Sequence, residues 1–522
     1  MIRKASTGLD TSYPVVDLFA GPGGLGEGFA ASINSNGRNS FRSLVSIERD
    51  PNSHQTLLLR HFVRSFGGKH LPSDYYRFLA GELTLKELYE LHPVEYAHAT
   101  DSALCISLGP DSHSRVKSTI SAKLAKQNRW VLVGGPPCQA YSLVGRSRMS
   151  GRPDFEQDER HTLYLEYLRI VADHKPPIFV MENVKGLLSA KVKGKSAIQR
   201  IVADLAHPSS AIKDAPRDLK YRLYSLSHDE QAEGAIEPKQ FLVRAENYGV
   251  PQARHRMFIV GVRSDIRIKP RILKPLKPPT VRQTIDSLPA IRSELSSQAD
   301  SPESWAKELQ TISGVDFRRH LRDLPYAEAL AGELSASSLK HIHWPKVSRS
   351  SRYPQRPPEN PTLRSLYDAN LSVLTSHDSR SHMPSDLRRY LFAAVFARHA
   401  ERSPSLVDFP RELLPKHQNV EEGRRGEMFA DRFRVQLPDQ VSTTITSHIS
   451  KDGHYFIHYD PVQCRSLTVR EAARLQTFPD NYYFCGPRTS QYHQVGNAVP
   501  PYLAGQIAEI VAEVLDEIGT RS

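Results

Sequence analysis

Cysteine is scarce in this chain, with four in 522 residues. Cys105, Cys138, Cys464 and Cys485 form no CxxC pair and no zinc-type Cys/His spacing. A chain of this size with so few cysteines does not need disulfides, and a reducing compartment is expected. No apolar run approaches the roughly 20 residues that span a bilayer. The stretch before Pro14 lacks the apolar core of a signal peptide. There is no internal repeat, and no Gly-Lys-Ser/Thr that would make the glycine-rich segment a P-loop. These absences lead to the expectation of a soluble cytoplasmic protein that uses neither membrane nor metal.

What is present is positive charge. The formal net charge is +12, on a chain with 39% hydrophobic and 24% charged residues. That balance suits a globular protein, and the length suits two or three domains. The excess of Lys and Arg suggests a polyanionic partner, since phosphate contacts release counterions. Good solubility alone is the competing explanation.

Short apolar runs at 15–19, 44–47, 130–133, 178–181, 221–226 and 257–262 are rich in Val, Ile or aromatics, and read as buried strands. Helical periodicity at 162–174 and 196–205 lies between some of them. Strands alternating with helices imply an α/β fold, a mostly parallel sheet covered on both faces. After about residue 262 the alternation stops, and 269–440 is rich in Pro, Ser and Arg. One helix is expected there, at 386–400, with Leu387, Tyr390, Leu391, Ala394 and Val395 on one buried face. Helices return at 468–476, opened by a Thr-Val-Arg-Glu capping box, and at 501–518. The expected division is 1–268, an inserted domain at 269–440, and a return to the first domain at 441–522.

Four segments carry candidate chemistry. The first strand runs into Asp17-Leu18-Phe19-Ala20-Gly21-Pro22-Gly23-Gly24. Glycines at a strand's carboxyl edge let a ligand approach the backbone, and the next strand ends in Glu48, a candidate partner for ribose hydroxyls. Any tight strand-to-helix turn could use the same glycines. Next, the run at 130–133 leads into Gly134-Gly135-Pro136-Pro137-Cys138-Gln139-Ala140-Tyr141-Ser142. A cysteine on a stiff turn at a strand mouth is placed as a nucleophile, although buried structural cysteines are commoner. The following strand ends in Glu182-Asn183-Val184, at the same sheet edge if the strands are parallel. A carboxyl beside a thiol suits a heterocycle protonated while sulfur adds to it, and a capping carboxylate is the plain alternative. Finally, Gln252-Ala253-Arg254-His255-Arg256 puts two guanidiniums on one face of an extended segment, for phosphate or carbonyl recognition or for an ordinary salt-bridged edge.

In this order the segments resemble the cytosine-5 DNA methyltransferase family. The resemblance extends to RSLTVREAARLQTFPD (465–480) and QVGNAVPP (494–501), and covers most of the chain outside about 270–440. It implies a Rossmann-like methyltransferase sheet of seven strands, six parallel and one antiparallel, with a smaller inserted target-recognition domain. The implied cofactor is S-adenosylmethionine. Phe19, Ala20, Gly21, Gly23, Gly24, Leu25, Glu48, Asp101, Pro137, Asn497 and Ala498 would line its pocket. The implied partner is double-stranded DNA, from which a cytosine is flipped. Cys138 would add to C6, Glu182 would stabilise protonated N3, Arg256 would hold O2, and Arg254 would organise the site. Gln139 and Ser142 would belong to a loop, roughly 139–161, that closes over the base.

Two features depart from the family pattern: Tyr141 stands where Phe is usual, and the middle region is long. An RNA-directed enzyme or a non-catalytic DNA-binding relative remain alternatives. The first lacks support in a Cys-Phe-Thr element, and the second usually loses one of Cys138, Glu182, Arg254 or Arg256. For DNA contact, the stretch 340–364 combines Lys340, Lys346, Arg349, Arg352, Arg356 and Arg364 with Trp344 and Tyr353. A solvated loop is its plain reading. The compact chain favours a prokaryotic cell, with restriction–modification or phage defence as the expected setting.

Overall fold

A computed structural model describes residues 12–67, 71–137, 163–192, 195–229, 237–312, 319–322, 324–415, 420 and 431–521. Cys138, Gln139 and Ser142 lie outside the described residues. Eight strands form the main sheet: β1 (Tyr13–Leu18), β2 (Phe41–Glu48), β3 (Ala103–Cys105), β4 (Val131–Gly134), β5 (Ile178–Val184), β6 (Tyr221–Tyr224), β7 (Leu242–Arg244) and β8 (His255–Arg263). Their order is β3-β2-β1-β4-β5-β8-β6, with β7 pairing on β8 outside that path. β8 runs antiparallel to both neighbours, and β3, β2, β1, β4 and β5 are mutually parallel. Seven strands thus share one direction, the expected six and the short β7, and β8 alone runs against them.

The two faces are covered differently. One is buried under the helix Gly24–Ala31 and the long C-terminal helix Pro501–Arg521, which share a core with Val15, Val133, Val180 and Val260. These helices touch almost backbone to backbone. A Cβ on Gly28 would lie 2.4 Å from Ala504 Cβ and 2.5 Å from the Pro501 carbonyl, so a larger residue is excluded there. The other face is covered by Pro110–Leu124, Leu163–His174 and Ala197–Ala206 through Ile120, Leu168 and Ile201.

The middle region has a hydrophobic cluster of its own, built from Trp305, Leu309, Leu330 and the helix Pro384–Ala400. That helix is buried almost all round rather than on one face, from Leu387 to Ala397, because chain packs against it from several sides. Phe433, Ile457 and Cys464 join the same cluster, so this core reaches beyond residue 440.

The segment 465–480 is held by buried ion pairs. Both Nη atoms of Arg465 contact Glu471 at 2.7 Å, and Glu471 Oε2 also accepts from Thr468 N in the capping box. Arg474 pairs with Asp480. Neutral histidines pack around them. Burial holds His377 down to about 4 and lowers His458 and His382 as well; in the first domain burial takes His61 to about 3.

An unfolded histidine titrates near 6.5, so below that pH the unfolded chain takes up protons that the folded chain refuses. Stability should therefore fall as pH drops from about 6.5 towards about 4. Asp17 acts in the opposite sense. Burial pushes its carboxyl up to about 7, so its contribution is lost as pH rises through that value. The raised carboxyls of Asp17, Glu182 and Asp286 are opposed by six lowered histidines, His61, His174, His377, His382, His454 and His458, and the expected result is a lower thermal midpoint at pH 5 than at pH 7.5. An equal or higher midpoint at pH 5 would show that these histidines are not buried neutral.

Candidate active site

The strand order reverses between β1 and β4, and ligands of open α/β sheets bind outside the carboxyl ends at such a point. The turn after β1 is fixed by its own hydrogen bonds. Ala20 N donates to the Ile47 carbonyl at 3.0 Å, and Gly23 N donates to the Ala20 carbonyl at 3.0 Å. Gly21 N donates to Glu48 Oε2 at 2.8 Å, while Glu48 Oε1 accepts from Arg49 N and Asp50 N at 2.9 and 2.7 Å. The carboxylate at the end of β2 thus clamps the glycine turn.

Phe19 takes a φ of 57°, and Gly21 and Gly23 take 58° and 99°. The half-buried Phe19 ring stands at the turn, and a Cβ on Gly21 would meet nothing within 4 Å. Behind the turn the fit is close: a Cβ on Gly24 would lie 2.4 Å from the Val499 carbonyl and 3.2 Å from Ala498 Cβ. Leu25 and Ala498 are buried, and Asn497 is exposed at the end of the helix Arg488–Asn497. The segment 494–501 therefore returns to the glycine turn.

Asp101 does not reach this group. It lies on the helix Pro93–Ser102, before β3 begins, and its exposed carboxylate pairs with Lys123. Parallel pairing places Cys105, not Asp101, level with Glu48. The assignment of Asp101 to an adenine contact is corrected on that ground: it precedes the strand, whereas the glycine turn lies at the strands' carboxyl edge.

β4 ends beside β1 and leads through Gly135 and Pro136 to the half-buried Pro137. Here the chain touches the end of β5. A Cβ on Gly135 would lie 2.7 Å from Glu182 Oε2, and Asn183 Nδ2 donates to the Pro136 carbonyl at 3.2 Å. Glycine at 135 is what lets the carboxylate lie against the backbone that leads to Cys138. On its other side Glu182 Oε1 is 2.9 Å from Arg256 Nε, with both side chains nearly buried. Burial raises the Glu182 carboxyl, and Arg256 followed by Arg254 pull it back. The net direction is upward, so the protonated form persists at higher pH than for a free glutamate.

Arg254 and Arg256 have different hydrogen-bond partners. Arg254 is fully buried and donates to the Ile445 and Gly496 carbonyls at 2.8 and 3.1 Å, stapling two later segments to the start of β8. Burial lowers both guanidiniums. Only Arg256 contacts Glu182 directly.

In the middle region Arg349, Arg352 and Arg356 are exposed. Of the neighbouring aromatics Tyr353 is buried and Trp344 half-buried. Tyr353 donates its hydroxyl to Asp480 Oδ2 at 3.0 Å, and Trp344 packs edge-on against Trp305. Tyr353 thus anchors the basic segment to the 465–480 segment. Among the described residues no helix is long and apolar enough to cross a membrane, and no group of His, Cys, Asp and Glu is arranged to hold a metal ion.

The sheet, with its reversed strand between β5 and β6 and its glycine turn at the switch point, defines the class: a Rossmann-like methyltransferase fold. A family model for C-5 cytosine-specific DNA methylase matches residues 111–513. The type II methyltransferase M.Bpa9945I of Bacillus paralicheniformis is 31% identical over 525 residues, covering 96% of this chain and 99% of that protein. M.DdeI, a type II methyltransferase of Desulfomicrobium norvegicum, is 25% identical over 516 residues, covering 97% and 89%. The DNA (cytosine-5-)-methyltransferase M.ApeKI of Aeropyrum pernix is 29% identical over 417 residues, covering 74% and 82%. The chain belongs to the C-5 cytosine-specific DNA methylase family and is an enzyme of DNA cytosine methylation.

Proposed function

We propose that the enzyme methylates C5 of a flipped-out cytosine in a specific double-stranded DNA sequence, through a covalent bond between Cys138 and C6. The observation that carries this reading is the Glu182–Arg256 pair, packed against Gly135 three residues before Cys138. A carboxyl of raised pKa can give a proton to a ring nitrogen as a thiolate adds to the ring. In this reading Glu182 serves N3 and Arg256 serves O2, while Arg254 keeps both in place. Addition at C6 makes C5 nucleophilic, and later loss of the C5 proton expels the cysteine. Gln139 and Ser142 cover the base.

The pocket residues fit S-adenosylmethionine. Gly21 leaves open space above the turn, Glu48 offers carboxylate oxygens at its rim, and Phe19 offers a half-buried ring. Pro137, Asn497 and Ala498 complete the walls. The cofactor supplies an electrophilic methyl group on a positively charged sulfur. Bisulfite sequencing of plasmid from methylation-free cells expressing the chain tests the activity: modified cytosines at one short motif support it, and unmodified DNA refutes it. The likeness to type II methyltransferases supports a restriction–modification setting in the cytoplasm of a prokaryotic cell.

Target recognition is assigned to 269–440, with Arg349 and Arg352 on DNA phosphates. Reversing both charges should weaken DNA binding and make the slope of log affinity against log salt shallower by about two. Unchanged affinity and slope would remove this segment from the DNA interface.

A further inference from the structure

Two glutamines have no part in the reaction as described, yet their hydrogen bonds cross from the base side of the site to the cofactor side. Gln252 and Gln476 are both 0% exposed. Gln252 Oε1 accepts from Ile445 N at 2.8 Å, and its Nε2 donates to Gln476 Oε1 at 2.5 Å and to the Leu475 carbonyl at 3.2 Å. Gln476 Nε2 donates to the Val495 and Ala498 carbonyls at 3.0 and 2.7 Å. Both N–H groups of each amide are therefore used.

The need for an amide at 476 follows from the chain it supports. The helix Arg488–Asn497 ends there and the chain runs into Pro500 and Pro501, which have no N–H to offer. The last carbonyls of a helix lack partners within it, and here they are buried. Gln476 supplies donors to Val495 and Ala498, and Arg254 supplies the donor to Gly496 between them. The neighbouring Val499 carbonyl is the group pressed against Gly24. A shift of this segment would therefore move the wall behind the glycine turn. Gly496 adds to the same construction, since a Cβ there would lie 2.3 Å from Ser447 N.

We propose that Gln476, held by Gln252, is a positioning residue: it sets the Asn497–Ala498 wall against the glycine turn, in register with the strand that bears Arg256. This rests on the reading that the wall and the turn hold S-adenosylmethionine.

Gln476→Glu tests it through pH. The carboxyl keeps the shape and still accepts from Gln252, but when ionised it cannot donate to Val495 or Ala498. When protonated it donates to one of them, and burial makes that form accessible at mildly acid pH. Calorimetric Kd for S-adenosylhomocysteine, measured without DNA, should rise at least about tenfold at pH 8.5 and return to within about threefold of wild type at pH 6. Gln476→Met, which cannot donate at any pH, should show the same weakening at both values. At saturating cofactor, kcat should stay within about threefold of wild type in each.

Gln252→Met leaves both bonds from Gln476 to the wall possible and carries the test if the 476 variants do not fold. It should weaken binding less than Gln476→Met, and the double variant should bind no more weakly than Gln476→Met alone. An unchanged Kd, a kcat loss at unchanged Kd, or additive losses would overturn the relay. A wild-type chain that binds no S-adenosylhomocysteine would overturn the pocket assignment instead.

Discussion

Cys138→Ser should eliminate methyl transfer while leaving the cofactor bound. A serine hydroxyl is a far weaker nucleophile than a thiolate, and nothing among the described residues near Pro137 is arranged to deprotonate it: Glu182 is engaged with Arg256. The expected fall in kcat is about 10⁴-fold or more, on the order of what removing an enzyme nucleophile costs. Kd for S-adenosylhomocysteine should change by less than about threefold, since the glycine turn, Glu48 and Ala498 are untouched. The decisive comparison is radiolabelled methyl transfer to DNA in a single turnover. Transfer near the wild-type rate would end the covalent mechanism for this chain. A second measurement follows from the chemistry of release. The thiol leaves only after C5 gives up its proton, so DNA carrying fluorine at C5 should remain covalently attached through Cys138. That complex should survive denaturing electrophoresis with the wild type and be missing with Cys138→Ser.

The sequence carried the sheet well because buried parallel strands are written as short apolar runs. The run at 178–181 extends to Val184, and that at 257–262 begins at His255. The strands it did not reveal, β3 and β7, have three residues each and no β-branched run, so only their neighbours define them. That gap led to the misplacement of Asp101. Without β3, nothing in the sequence fixes which residue stands level with Glu48, and register is a tertiary property.

The arginines show the same limit. Spacing puts Arg254 and Arg256 two apart, but the partners of Arg254 come from Ile445 and Gly496, far along the chain. Tyr353 reads as an aromatic among cations, and only the fold brings Asp480 to its hydroxyl. Gln476 sits inside a quoted motif, yet a lone glutamine in a helical stretch gives no sign of its burial. Positions set by strand ends, such as those of Glu48 and Glu182, were legible; contacts that join distant segments were not.

Glu182→Gln should cost about 10²- to 10⁴-fold in kcat, the range expected when a positioned proton donor is removed. The amide matches the carboxyl in shape and can still reach a ring nitrogen, but it cannot surrender a proton as the thiolate adds. Cofactor affinity should be nearly unchanged, because Glu182 meets Gly135 and Arg256 rather than the glycine turn. The pH profile separates loss of the proton from loss of packing. Burial raises the Glu182 carboxyl, so the wild-type rate should decline with rising pH as the carboxyl ionises, on a limb displaced upward from an ordinary glutamate. Deprotonation of Cys138 favours the opposite trend, and together the two give a bell-shaped profile. Glu182→Gln should lose the descending limb attributable to the carboxyl and keep the ascending one. Arg256→Ala should keep both limbs but shift the descending one further upward, since the nearest cation no longer favours the ionised carboxylate. A Glu182→Gln enzyme with near wild-type kcat, or with both limbs intact, would mean that the proton reaches the base by another route and that the pair against Gly135 only shapes the pocket.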